Sequence, residues 1–513
     1  MNDSGNVRIG WVLVATIAAS FFFNLWGTPL FDVDEGAFGE ATREMFQRGD
    51  FISTYLNGEP RNDKPILIYW LQAVSIALFG INEVAFRLPS AIAASAWVLM
   101  VFYFVRKIAD SHKALVAAVV TATCLEVSVI GKAATADALL NLCITASMLL
   151  YYLHYRFREQ KFLYLCFMFI GLGFLTKGPV AVMIPGVVSL LFCLSRRDIR
   201  FWLHSVFNPP GILIFLVVAL PWYVVSYFHD GGEFIRGFLF RHNLGRFDNV
   251  MESHSGGIFY YVPVALLGVL PYTTALLLVL RRISQLWRDD LSRYLLLWFG
   301  FVFVFFSFSG TKLPHYLIYG MTAMAILMAF NLDQLRNRWL AFLPAFLFLS
   351  MLFLLPEILE YLRLHSADAY TRELLANHQH DTGHYRWVVA AGLLALAWLL
   401  YDRRWQLQSR LLASGMVTVL VVAGGLMPVL GRIQQQPVKD AALWAKKHGV
   451  DVIQWRLRVP SFNVYSRSVS PQRLPQAGDY VLTRTTHLDT LPPFRIMYSK
   501  NGLVLVRLDA DNQ

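Results

Sequence analysis

About thirteen apolar runs, each near the roughly 20 residues that a bilayer-crossing helix needs, follow one another through this chain. They lie near 9–26, 88–105, 113–131, 136–155, 162–176, 178–195, 210–228, 258–280, 292–309, 313–331, 338–356, 385–401 and 411–430. In a bilayer core, backbone N–H and C=O groups find no water, so such runs must close their hydrogen bonds as helices. Composition agrees: 56% of the 513 residues are hydrophobic and only 15% charged, well outside the range of a soluble domain. Thr176-Lys177-Gly178-Pro179 divides the fifth run from the sixth as a turn or a kink. The expected fold class is therefore an all-α polytopic membrane protein. Its first run follows Arg8 and has no small-residue cleavage site, which reads as an uncleaved signal anchor.

Charge gives the orientation. With the N-terminus cytoplasmic, the cytoplasmic loops carry Arg106/Lys107/Lys113, Arg156/Arg158/Lys161, Arg196/Arg197/Arg200, Arg281/Arg282/Arg288/Arg293, Arg336/Arg338 and Arg403/Arg404/Arg410. The short loops of the opposite side carry one lysine each: Lys132, Lys177 and Lys312. This alternation follows the positive-inside rule and places the C-terminal tail on the non-cytoplasmic side, in the periplasm or at the cell exterior. The net charge of +11 is thus distributed as topology signals, which argues against nucleic acid as a partner. Cys124, Cys143, Cys166 and Cys193 all fall in apolar runs, so they read as buried thiols and not as a disulfide framework.

The chain divides into a transmembrane domain, 1–431, and a C-terminal domain outside the membrane, 432–513. The first outer segment, 27–87, contains Glu35–Arg48, whose Phe38, Ala41 and Met45 share one helical face; it reads as an amphipathic helix on the membrane surface. Ile66–Phe79 is apolar but short, so it reads as interfacial or re-entrant. The segment 229–257 holds His242, Arg246, His254 and two Gly-Gly pairs, as a mobile polar loop would. In the tail, Pro437–His448 reads as a helix closed by Gly449. Val450–Trp455, Tyr480–Arg484 and Leu503–Leu508 read as strands of a small α/β unit.

Chemistry concentrates at the outer ends of the runs. Asp32, Asp34 and Glu35 form an acidic knot just after the first run, where carboxylates are costly unless they bind or react. Asp63-Lys64-Pro65, Lys132, Asp137, Lys177 and Gly310-Thr311-Lys312-Leu313-Pro314-His315-Tyr316 lie on the same side. Such a mixture suits a phosphorylated lipid substrate: cations neutralise a leaving phosphate, and a carboxylate takes a proton or holds a metal. Simpler roles compete at several positions. Glu35 reads as a carboxylate at a helix N-terminus, Asp137 as an N-cap and Lys132 as an interface anchor. No nucleotide-binding glycine loop occurs, so no nucleotide cofactor is expected.

The chain resembles the bacterial GT-C glycosyltransferases of the aminoarabinose transferase (ArnT) and protein O-mannosyltransferase superfamily. The resemblance rests on the order and spacing of F-D-V-D-E-G-A-F-G-E-A-T-R-E-M, N-D-K-P-I-L-I-Y-W, A-T-A-D-A-L, L-T-K-G-P, L-P-W-Y, R-H-N-L-G-R-F, F-Y-Y-V-P-V-A-L-L-G-V-L-P-Y and S-G-T-K-L-P-H-Y. It implies a GT-C fold of about 13 helices with periplasmic juxtamembrane helices. It implies a polyprenyl-phosphate sugar as donor and transfer, with inversion, to a periplasmic acceptor. That acceptor would be lipid A, receiving 4-amino-4-deoxy-L-arabinose or another sugar, or alternatively a protein or glycan. Asp34 matches the first-loop acid, a general base or metal-associated carboxylate, and Asp137 a second acidic position. Lys64, Lys177, Arg246 and Lys312 match basic positions around the donor phosphate. Asp63 and His254 match a pair that can hold a divalent metal, although Asp63 stands where the aminoarabinose enzymes typically carry Glu. A lipid or sugar transporter is the alternative of another class. It would show paired repeats and polar groups at mid-bilayer, whereas here they crowd one face.

Overall fold

The computed structural model describes residues 3–238 and 257–509. Each of the thirteen apolar segments falls on a helix or on a broken pair of helices. Among the described residues, six helices meet the length and apolarity for a membrane span: Glu83–Ile108, Asp137–Phe157, Pro209–Asp230, Asp290–Phe308, Pro314–Gln334 and Leu407–His448. Two further spans are bent pairs, Tyr261–Gly268 with Thr273–Arg281 and Arg338–Phe353 with Leu355–His365. Shorter apolar helices are Val7–Phe22, Leu67–Phe79, Val180–Ser195 and Tyr385–Tyr401, while the segments 113–131 and 162–176 lie on Ser111–Thr123 with Leu125–Ile130 and on Gln160–Lys177.

Two helices form the centre of the bundle. In Asp137–Phe157 and in Pro314–Gln334, 89% of the apolar window is buried in protein, against 28% for Pro209–Asp230. The same two helices are the least apolar of the six, as befits helices that face protein and not lipid. Thr145 and Thr322 share a hydrogen bond of 2.8 Å across the central pair, and Trp97 Nε1 donates to Thr322 Oγ1 at 2.7 Å. These buried polar groups fix the register of three helices where dispersion alone would let them slide. The N-terminal ends of the two central helices therefore meet on the same side of the bundle. The four cysteines are buried as free thiols.

The helix Asp34–Arg48 forms as expected, but its environment corrects the surface-lying reading. Every residue from Glu35 to Met45 is buried. Its apolar face packs toward the bundle, with Phe38 stacked on Tyr69 at 5.3 Å. Its polar face lies beneath the tail: Arg43 makes a bidentate pair with Glu40, at 2.7 Å for both bonds, and reaches the Arg467 carbonyl. A short hairpin follows, Tyr55–Leu56 (β1) against Glu59–Pro60 (β2).

The tail carries a four-stranded mixed sheet: Val452–Gln454 (β3), Tyr480–Arg484 (β4), Phe494–Lys500 (β5) and Leu503–Leu508 (β6), in the order β3-β4-β6-β5. Strands β3 and β4 are parallel and the other pairs antiparallel. Its helix spans Gln436–His448 and ends at Gly449, whose φ of 64° is the left-handed cap that glycine accepts without strain. This helix continues the last span without a break, so the boundary read at 431 falls inside one continuous 42-residue helix, Leu407–His448. The tail docks through the short helix Pro460–Ser466. Tyr465 Oη accepts from the Leu30 amide and donates to Glu83, which also pairs with Lys439.

Candidate active site

Beneath the docked tail lies a cavity of about 220 Å³ lined by Asp32, Asp34, Thr135, Asp137, Lys132 and His315. Each acid of the knot has a different fate. Asp32 accepts from both the amide and the hydroxyl of Ser461. Burial beneath the tail pushes its carboxyl up to about 7, against the pull of those two bonds. Gly36 makes this approach possible: a Cβ there would stand 2.1 Å from the Asp32 carboxylate and 2.6 Å from the Ser461 amide.

Glu35 does more than face a helix dipole. It is buried in a bidentate pair with Arg87, at 2.6 and 2.9 Å, and accepts from the amides of Phe31 and Ala134. Burial alone would raise its carboxyl, but the Arg87 charge and hydrogen bonds hold it below the usual value. Arg87 also donates to the carbonyls of Leu25, Thr28 and Pro29. The pair thus ties the end of the first run, the knot and the second span together. Asp34, the first residue of its helix, remains exposed toward the cavity.

Asp137 opens the first central helix, where the helix dipole favours a carboxylate. It accepts from Lys177 Nζ at 2.6 Å, Tyr319 Oη at 3.1 Å and Thr135 Oγ1 at 3.2 Å, and Lys177 also donates to Tyr319 at 2.9 Å. An N-cap role is not what its side chain performs: no side-chain capping bond is present there. Lys177, expected at a donor phosphate, is placed on Asp137, which already neutralises its charge. Lys132, read as an interface anchor, lines the cavity. Burial and the nearby Arg87 bring its ammonium down to about 8.

Lys64 is buried with Nζ 2.7 Å from Asp63, which Arg61 also approaches at 3.4 Å. Asp34, Lys64, Asp137 and Lys177 all lie close enough to act electrostatically on His315. The imidazole is therefore the point where the first-loop charges and the Asp137 cluster meet. Sequence reasoning quoted His315 within its motif but gave it no role, and passed over Tyr319 and Thr135. Lys312 is buried with its ammonium on the Ser309 carbonyl and does not line this cavity. Arg246 and His254 lie outside the described residues. Among the described residues no three metal-ligating side chains converge. Asp63, the expected metal carboxylate, carries two cationic neighbours. Any divalent ion there would compete with the Lys64 ammonium for that carboxylate.

The fold is of the GT-C type. Residues 63–224 match the family model described as dolichyl-phosphate-mannose-protein mannosyltransferase. An uncharacterised protein of Aquifex aeolicus is 30% identical over 345 residues, covering 66% of this chain and 77% of that protein. The undecaprenyl phosphate-alpha-4-amino-4-deoxy-L-arabinose arabinosyl transferase of Yersinia enterocolitica is 29% identical over 338 residues, 63% of this chain and 60% of the relative. The chain thus matches 60% of that transferase's length. The crystal structure of ArnT from Cupriavidus metallidurans bound to undecaprenyl phosphate superposes with a TM-score of 0.80 over 97% of this chain and 98% of that one, at 20% identity. The chain belongs to one family with the Aquifex protein, and it is similar to the bacterial aminoarabinose transferases and, over residues 63–224, to the protein mannosyltransferase model.

Proposed function

We propose that this protein transfers a sugar from a polyprenyl-phosphate donor to a periplasmic acceptor of the lipid A type, in the inner membrane. The observation that carries the reading is the cavity under the knot, which gathers Asp34, Asp137, Lys132 and His315 at the ends of the two central helices. The transferase names among the relatives favour an aminoarabinose-type sugar. The mannosyltransferase description of residues 63–224 favours, as second reading, a protein or glycan acceptor for the same donor.

In this reading the acceptor oxygen attacks the anomeric carbon on the face opposite the phosphate, with inversion. The bond from that carbon to the phosphate oxygen breaks, and polyprenyl phosphate leaves with the bonding pair. Lys64 and Lys132 stabilise the growing phosphate charge, and the resemblance adds Arg246 and Lys312 as further basic positions for the donor phosphate. Electrostatic stabilisation at the developing charge is commonly the largest catalytic contribution. Asp34 takes the proton of an acceptor hydroxyl or, for a phosphate acceptor, orients it. Asp137 is held by Lys177 and Tyr319 and, through its charge, keeps His315 oriented toward the cavity. Asp63 keeps Lys64 in place, and no step passes through a metal held by Asp63 and His254. About 13 membrane crossings, a cytoplasmic N-terminus and a periplasmic 432–513 domain complete the reading.

Mass spectrometry of lipid A, glycans and glycoproteins from cells with and without the gene tests it. An added pentose-sized or hexose-sized mass on lipid A supports the first reading. The same mass on protein supports the second. No gene-dependent sugar anywhere would overturn both.

A further inference from the structure

A second concavity, of about 570 Å³, lies far from the first, between Thr273–Arg281 and Arg338–Phe353. His315 of the central helix Pro314–Gln334 borders the active-site cavity, and Gln334 at its other end borders this groove. Those 21 residues separate the two sites by roughly 30 Å, the thickness of a bilayer core. The groove's wall is apolar and open to the bilayer, with Leu267, Leu277, Leu340, Leu343, Leu347 and Met351 all exposed. Thr274 Oγ1 bonds the Leu340 carbonyl across the groove and holds its two walls together.

The groove's head is basic. Arg281 and Arg336 border it, both exposed. Their neighbours are engaged with protein: Arg282 donates to Gln285 and Asn331, and Arg338 to the Leu400 carbonyl. Arg281 and Arg336 have no hydrogen bond or ion pair among the described residues. Asn337, between them and the leucine wall, caps the helix Arg338–Phe353, whose positive dipole end opens at the same point. Asp333, three residues before Arg336, does not line the groove. Two uncompensated guanidinium groups above an apolar channel complement one class of ligand: a phosphodiester anion carrying acyl chains.

We propose that this groove binds an anionic diacyl phospholipid, its phosphate between Arg281 and Arg336 and one chain along the leucine wall. With the orientation proposed above, the lipid comes from the cytoplasmic leaflet, opposite the side where the sugar is transferred. The site is separate from the donor cavity, and its occupancy can be measured without any activity assay.

Native mass spectrometry of the purified full-length protein, titrated with phosphatidylglycerol and with phosphatidylcholine of the same chains, tests this. Phosphatidylglycerol should bind the more tightly. Arg281→Gln with Arg336→Gln should weaken it roughly five-fold per arginine, while Arg403→Gln with Arg404→Gln, in another exposed basic loop, should leave it unchanged. Leu343→Trp, which fills the channel and keeps both charges, should also weaken binding. Equal affinity for the two lipids, full retention by the groove variants, or equal loss in the control would overturn the proposal. Displacement of phosphatidylglycerol by undecaprenyl phosphate, lost in Leu343→Trp, would overturn it in favour of a donor-lipid groove.

Discussion

Asp137 and Lys177 are 40 positions apart and meet at 2.6 Å in a buried setting, with Tyr319 bonded to both. Removing one member of such a pair leaves the other charged and uncompensated, at a cost of about 3–5 kcal/mol. Asp137→Asn or Lys177→Met alone should therefore lower thermal stability sharply. The double variant should lose much less than the sum, and a double-mutant cycle followed by thermal unfolding in detergent measures the coupling. Lys132 offers a test in pH. Its ammonium, brought down to about 8, is charged at neutral pH and loses its proton as pH rises through that value. Donor KM should therefore rise several-fold between pH 7 and pH 9, and Lys132→Arg, charged throughout, should flatten that rise. Residue-scale signals were unevenly legible in the sequence. Asp34 and Asp137 stood out as carboxylates beside apolar runs. Arg87 announced itself less plainly: an arginine at the outer end of a span departs from the charge rule, and its buried pair with Glu35 is the reason. His315 and Tyr319 were hidden because their partners lie on helices distant in sequence, and no periodicity encodes such a meeting.

At the scale of elements, hydropathy located the helices because a 20-residue apolar run has few other fates in a bilayer. The two central helices are the least apolar of the six full-length spans, as helices that face protein and not lipid can be, a difference that the search for apolar runs did not use. The helix Asp34–Arg48 was legible in its periodicity, whereas the cover over its polar face comes from residues 460–467, more than 400 positions later. Strand β5 escaped notice because none of its residues is fully buried and its exposed Ile496 and Met497, beside Arg495 and Lys500, break the alternation that marks a strand. The contact between Gly36 and the short helix Pro460–Ser466 gives an element-scale prediction. Gly36→Val should push that helix away, break the Ser461 bonds to Asp32 and expose the knot. Limited proteolysis should then release the tail at least several-fold faster than in the wild type, while Gly10→Val, at a position with open space around it, should leave the rate unchanged.

The whole molecule is a bundle with its chemistry at one end and its positive loops at the other. That polarity follows from two separate rules, one placing arginines on the cytoplasmic side and one keeping unpaired carboxylates out of hydrocarbon. Cysteine-accessibility labelling in intact cells should find a cysteine placed at Ser468 open to a membrane-impermeant reagent and one at Gln408 closed. The opposite pattern would reverse the proposed orientation. The central claim, that the cavity under the knot moves sugar from polyprenyl phosphate with Asp34 acting on the acceptor, is tested most directly in vesicles with a synthetic donor. Wild-type protein should transfer the sugar, and Asp34→Asn, folded and with its tail docked, should be slower by about 10²–10⁴-fold, as expected for loss of a general base. Near-normal turnover by Asp34→Asn, or transfer that does not need the polyprenyl-phosphate donor, would contradict the account.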